Sequence, residues 1–178
     1  MKDEEIKEIN FDNWPLPNEY LVEVGRISAL WASLESLLRI LIGKLAGFDQ
    51  INDPMPFILL NHSSFPQKLD MLGALCEQLK PLHPNLKGCS EVISKFKSAQ
   101  AKRNRFIHNG ITFNKETGNM EMAIGTARGK LKTNIEVICI ANIRRAVIEI
   151  DEAQVALYNL ILGQDISPVW SRRQKKSG

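Results

Sequence analysis

The sequence predicts an all-α fold, a bundle of four to five helices with a small β-hairpin or extended flap inserted before the last long helix. Four long segments repeat apolar residues at intervals of three and four, the spacing of one face of an α-helix. One segment, 111–124, instead alternates apolar and polar residues around a turn-like stretch. The chain has 178 residues, which is enough for one domain with its own core.

The first predicted helix runs from about Glu19 to Ala46, and Gly47 follows as a stop signal. An arm, 1–18, precedes it, because Pro15 and Pro17 disfavour a helix there. The apolar positions of this helix recur at helical spacing, and they are Val24, Ile27, Trp31, Leu34, Leu38, Leu41 and Leu45. A stripe of this width is typical of a helix in the middle of a bundle.

The second predicted helix begins after Ser64. Ser64 has the residue type of an N-cap, Pro66 lies in the first turn, and Gln67 occupies the capping-box position. Pro81 ends this helix. A loop rich in Pro and Asn and a short apolar piece, 57–60, precede it.

The second half of the chain contains two more predicted helices. The third runs from about Ser90 to His108, and the fourth runs over about 141–163. The hairpin follows the third helix, and a basic loop, 125–134, follows the hairpin. We expect one domain over 19–163 and a basic, flexible tail over 164–178.

Composition narrows the classes of protein. The apolar share of 44% and the charged share of 24% are ordinary for a globular chain. No apolar run approaches the ~20 residues of a membrane span, and the acidic start of the chain lacks the apolar core of a signal peptide. We therefore predict a cytoplasmic protein with no membrane contact. The three cysteines (Cys76, Cys89 and Cys139) lack metal-ligand spacing, and this indicates reduced thiols. We predict neither a metal nor a cofactor.

Positive charge is clustered although the net charge is only +3. The clusters fall in 87–105, in 128–132 and at the end of the chain, where Arg172, Arg173, Lys175 and Lys176 follow one another closely. Such clusters can bind phosphates, or they can be solvated helix faces and a basic tail. The sequence leaves both interpretations open.

The third helix carries an unusual residue on its apolar stripe. The stripe consists of positions 92, 96, 99, 103 and 106, and position 103 is an arginine. A guanidinium keeps its charge in proteins, so burying it without a partner is very costly. We expect Arg103 to face a cleft or an interface, or to extend outward into solvent.

Two polar residues follow Arg103 at the end of the same helix. Asn104 lies four residues before His108 and can share a face with it. Arg103 lies five residues before His108, about 140° around the helix, so that only its length allows the two side chains to meet. The alternative is an outward-extended arginine and a histidine that only caps the helix.

The stretch RNRFIH (103–108) resembles the Arg-Asn-x-x-x-His signature of HEPN domains, and the order of helices and hairpin is also similar over about 20–162. The resemblance implies a helical domain that forms homodimers and brings two motifs into one cleft. It implies a metal-independent endoribonuclease, with toxins and host-defence proteins among its relatives. It further implies an RNA substrate and a cognate antitoxin protein as a partner.

Carried over by motif position, the catalytic residues are Arg103, Asn104 and His108. His108 would act as general base or acid, and Arg103 would hold the phosphate oxygens. Asn104 would orient either His108 or the phosphate. Lys102 and Arg105 are predicted to attract and bind the substrate. The alternative function is a non-catalytic helical dimer that binds RNA, a nucleotide or a protein, and a DNA-binding protein is a third hypothesis.

Overall fold

The computed structural model describes residues 4, 7, 10, 14–48, 50, 53–126, 129–130 and 132–172. Within these ranges the chain forms five α-helices and three β-strands. They are α1 (Asn18–Leu45), α2 (Pro54–Leu60), α3 (Phe65–Leu79), α4 (Cys89–Ile107), β1 (Gly110–Asn114), β2 (Asn119–Thr126), β3 (Lys132–Ile138) and α5 (Ile140–Leu162). Two short 3-10 turns, Pro84–Gly88 and Val169–Ser171, complete the described elements.

Helices α1, α4 and α5 enclose the core. Helices α1 and α5 are parallel, because Glu23 binds Arg144 and, further along both helices, Ser33 accepts a hydrogen bond from Gln154. Helix α4 runs antiparallel to α5. The predicted apolar stripes supply the core, whose fully buried side chains include Ile27, Leu34, Leu38, Phe96, Ile143, Ile150 and Leu157. The helical periodicity therefore correctly predicted the residues that pack inside.

The starts of α2 and α3 are fixed by side-chain caps. The Asp53 side chain accepts the Met55 backbone N–H at 2.8 Å and starts α2. The stretch 57–60, predicted only as an apolar piece, is the second half of this helix. The predicted capping box of α3 is confirmed, because Gln67 N–H donates to Ser64 Oγ and Ser64 N–H donates to Gln67 Oε1.

Helix α2 runs back along α1 and brings the start of α3 beside the middle of α1. The two helices touch at Gly43, where an added Cβ would lie 2.3 Å from Cγ of Pro56. At the other end of this return path, the rings of Trp31 and Phe65 pack with centroids 4.6 Å apart. The close approach of α2 to α1 thus requires glycine at position 43.

The insertion between α4 and α5 is a three-stranded antiparallel sheet in the order β1-β2-β3. Strand β2 is central, and its Met122 lies opposite Ile111 of β1 and Glu136 of β3. The predicted hairpin forms β1 and β2. The predicted basic loop 125–134 was wrong in part, because its two ends belong to β2 and β3.

Strand β3 escaped prediction because two of its apolar residues face outward. Ile135 and Val137 are 67% and 65% exposed, whereas the half-buried Glu136 lies opposite the buried Met122 and Ile138 is buried on the same face. A strand is normally identified by apolar residues on the buried face. The fold is therefore mainly α, as predicted, with a three-stranded sheet where the sequence indicated a hairpin.

Several predicted features fall partly or wholly outside the described residues. These include Arg128 of the basic loop, most of the arm 1–13, and the last part of the tail, 173–178. The described start of the tail lies against α5, where Val169 N–H donates to Asp151 Oδ2 at 3.1 Å. Among the helices that can be described, none combines the length and apolar character needed to cross a membrane.

Candidate active site

The three predicted catalytic side chains meet at the C-terminal end of α4. Arg103 Nη1 lies 2.7 Å from His108 Nε2 and donates to Asn104 Oδ1 at 3.0 Å. Arg103 is therefore the centre of the cluster, with the amide and the imidazole on the same guanidinium nitrogen. The convergence that the spacing of five residues left open does occur.

The end of α4 makes this contact possible. The helix ends at Ile107, and His108 is its C-cap, with its N–H bonded to the Asn104 carbonyl at 3.1 Å. In an uninterrupted helix, residues five apart project about 140° from each other. The long Arg103 side chain bridges this angle and places its terminal nitrogen at the imidazole.

The environment of Arg103 explains how an arginine fits an apolar stripe. Its Cζ lies 5.7 Å from the ring centroid of Trp31 on α1, close enough for a cation–π contact. Its Nε is buried and has no hydrogen-bond partner within the described ranges. Over the same ranges, no carboxylate forms an ion pair with Arg103. The guanidinium is thus held by an aromatic ring and two neutral groups, and its charge is not compensated.

The contact with Arg103 defines the protonation state of His108 in this arrangement. A guanidinium has donors and no acceptor, so Nε2 of His108 must supply a lone pair. Nε2 is thus the acceptor in this contact, and Nδ1 carries the ring proton. His108 is exposed, so a substrate can reach the imidazole, and Nε2 becomes free once another group takes the Arg103 donor. A neutral, accessible imidazole is the form that a general base requires.

The two predicted substrate-binding residues are already paired. Lys102 Nζ lies 3.7 Å from Glu149 Oε1 of α5, and Arg105 binds Glu136 of β3. Both cations therefore point away from Arg103 toward neighbouring elements. Of the three cations at 102–105, Lys102 and Arg105 are thus paired with carboxylates, and Arg103, which lies between them in the sequence, is not.

The sequence did not reveal the partners of this helix end. Trp31 belongs to the regular stripe of α1 and was predicted as ordinary core, with no signal for its contact to Arg103. Glu136 and Glu149 lie 31 and 47 residues away from their partners in sequence. Spacing within one helix contains no information about such contacts.

Comparisons of the chain with protein-family models, with curated proteins and with solved structures found no match. Among the described side chains, no group of three or more His, Cys, Asp or Glu residues could hold a metal ion.

Proposed function

We propose that the chain is a HEPN-like endoribonuclease that cleaves RNA without a metal ion and works as a homodimer. The observation that carries this proposal is the contact of 2.7 Å between an uncompensated Arg103 and the neutral imidazole of His108. A cation without a carboxylate partner favours an anionic ligand, and the scissile phosphate of RNA is such a ligand. The adjacent base supplies the proton transfer that phosphate chemistry needs.

The proposed reaction uses the 2′-hydroxyl of RNA as the nucleophile. A substrate phosphate takes the Arg103 donors, and this frees Nε2 of His108 to accept the 2′-hydroxyl proton. The 2′-oxygen then attacks phosphorus, and the bond from phosphorus to the 5′-oxygen breaks. The products are a 2′,3′-cyclic phosphate and a 5′-hydroxyl. Arg103 stabilises the charge that develops on the phosphate oxygens, and Asn104 holds the guanidinium in place.

The leaving 5′-oxygen must receive a proton, and one chain offers one motif histidine. A second copy of the chain would supply a second His108, which starts the reaction protonated and gives its proton to the 5′-oxygen as the general acid, and this is the reason we propose a homodimer. Such a nuclease would act on cytoplasmic RNA as a toxin or host-defence effector. A cognate antitoxin protein would then be its natural partner.

The test is a cleavage assay on total RNA and tRNA in excess EDTA. We compare the unmodified protein with His108→Ala and Arg103→Ala, and use Lys80→Ala as a control that removes a cation at the far end of α3. Both site variants should lose about 10²–10⁴-fold in rate, and Lys80→Ala should lose nothing. The products should end in cyclic phosphates.

Unchanged cleavage by His108→Ala would disprove the proposed site. RNA binding without products, by folded dimeric protein, would favour the non-catalytic binding function instead.

A further inference from the structure

A second arginine without a carboxylate partner lies on α1. Arg39 Nη1 donates to Asn61 Oδ1 at 3.3 Å, and Nη2 donates to Ser36 Oγ at 3.2 Å. Its Nε is buried and, across the described ranges, has no hydrogen-bond partner. Glu35 lies one turn earlier on α1, but it forms no ion pair with Arg39 among the described residues.

This environment leaves the Arg39 charge available. Its two hydrogen bonds are long and go to neutral groups, whereas a carboxylate or a phosphate would form shorter, charge-assisted bonds to the same donors. An incoming phosphate could therefore replace Asn61 and Ser36 at little cost. Arg39 resembles Arg103 in this respect, since both guanidinium groups contact an aromatic ring and neutral acceptors.

Exposed aromatic and polar groups surround Arg39. Its Cζ lies 5.2 Å from the ring centroid of Phe57 on α2, and Phe57 as a residue is 37% exposed. Asn61 and His62, both exposed, follow at the end of the same helix. Proteins bind single-stranded RNA by combining cations for the backbone, aromatic rings for stacking and amides for base edges. Arg39 on α1, Phe57 on α2 and Asn61 just after α2 supply all three, and we call this group the corner between α2 and α3.

The corner is connected to the candidate active site through α1. Arg39 lies eight residues beyond Trp31, which corresponds to about 12 Å along the helix axis. Trp31 contacts both Arg103 and Phe65, the first residue of α3. An extended strand bound at Arg103 would therefore need to continue only a short way along α1 and α3 to reach Arg39.

We propose that Arg39, Phe57 and Asn61 form a distal subsite for single-stranded RNA. Arg39 binds a backbone phosphate, Phe57 stacks a base on the part of its ring that is exposed, and Asn61, released from Arg39, contacts a base edge. The inference rests on the proposed ribonuclease function and adds to it a preference for extended, unpaired RNA. We therefore expect the gain in affinity and kcat/KM with substrate length to depend on these residues and on no other part of α1.

The experiment compares short and long substrates. We measure kcat/KM for a dinucleoside phosphate and for a longer single-stranded oligoribonucleotide, using the unmodified chain, Arg39→Gln, Phe57→Leu and the control Lys80→Ala. Affinity for the long strand, with a 2′-O-methyl group at the cleavage position, is measured in parallel by fluorescence anisotropy. Arg39→Gln and Phe57→Leu should each lower affinity and kcat/KM for the long strand about tenfold, while the dinucleoside rate stays unchanged.

The outcomes separate the two proposals. Cleavage that Arg39→Gln changes equally, or not at all, for both substrates would overturn the subsite and leave the ribonuclease standing. Binding of RNA without cleavage, weakened by Arg39→Gln, would support the subsite and count against the ribonuclease. If Phe57→Leu changes the molar mass of the protein in light scattering but not its RNA affinity, Phe57 belongs to a contact between protein chains. The subsite is then disproved.

Discussion

Two clusters of arginine in this molecule are built in opposite ways. At the start of α1 and α5, Oε1 of Glu23 accepts from Arg26 Nη1 at 2.6 Å and from Arg144 Nε at 2.8 Å, and Glu23 is 2% exposed. At the end of α4, the partners of Arg103 among the described residues are an amide, an imidazole and the Trp31 ring. Both arginines of the first cluster are paired with a carboxylate, whereas Arg103 is paired with none in the described part of the chain.

The difference separates structural charge from functional charge. Burial raises the pKa of Glu23, but the hydrogen bonds from Arg144 and Arg26 outweigh burial and leave that pKa below its ordinary value. The carboxylate therefore remains ionised and joins α1 to α5. Arg103 forms no ion pair among the described residues, and its link to α1 is the cation–π contact with Trp31.

The test with the largest expected effect measures both the cleavage rate and the free energy of unfolding for one variant of each cluster. Arg103→Gln should lower kcat/KM about 10²–10³-fold and change the free energy of unfolding only slightly. Glu23→Gln should lower the free energy of unfolding by about 1 kcal/mol, because it weakens the ion pairs of a buried carboxylate with two half-exposed arginines, and should leave kcat of the folded protein intact. Urea denaturation and cleavage assays on the same preparations measure both. A large loss of stability in Arg103→Gln would remove the distinction.

The pH dependence of stability sharpens the same contrast. Since the folded pKa of Glu23 lies below its ordinary value of 4.5, its stabilising contribution is present above that pH and is lost as the pH falls through the folded pKa. The difference in unfolding free energy between the unmodified chain and Glu23→Gln should thus be largest near neutral pH and shrink in acid. A difference that stayed constant across this range would contradict the ion-pair interpretation.

The smallest expected effect concerns the paired cations beside Arg103. Glu136→Gln should release Arg105 and raise RNA affinity about two- to threefold, with a steeper dependence on salt because one more cation is free. Glu77→Gln, which removes the carboxylate paired with Lys80 and raises the net charge equally, serves as the matched control. Fluorescence anisotropy at two salt concentrations measures the effect, and unchanged affinity would mean that Arg105 does not face the RNA.

The sequence predicted those features that depend on neighbours along one helix. The stripe of α1 and the capping box of Ser64 follow from spacings of three and four residues, whereas the spacing of five left the contact of Arg103 with His108 open. Strand β3 was missed because its Ile135 and Val137 face outward, where a pattern places polar residues. The contacts of Arg39 with Asn61 and of Arg103 with Trp31, and the acidic partners of Arg105 and Lys102, depend on packing between distant elements.

Gly43 has a consequence for which substitutions the chain tolerates. In most helix interiors, replacing glycine by alanine stabilises the helix by about 1 kcal/mol. Here the added methyl would meet the rigid ring of Pro56 at 2.3 Å, so the sign of this rule reverses. A methyl group at position 43 would push α2 away from α1. Phe57, which lies on α2, would then move away from Arg39, although neither side chain is changed. The distance between Arg39 and Phe57 can thus be varied by a substitution at position 43, and the chemistry of the two side chains can be varied separately by substituting those residues.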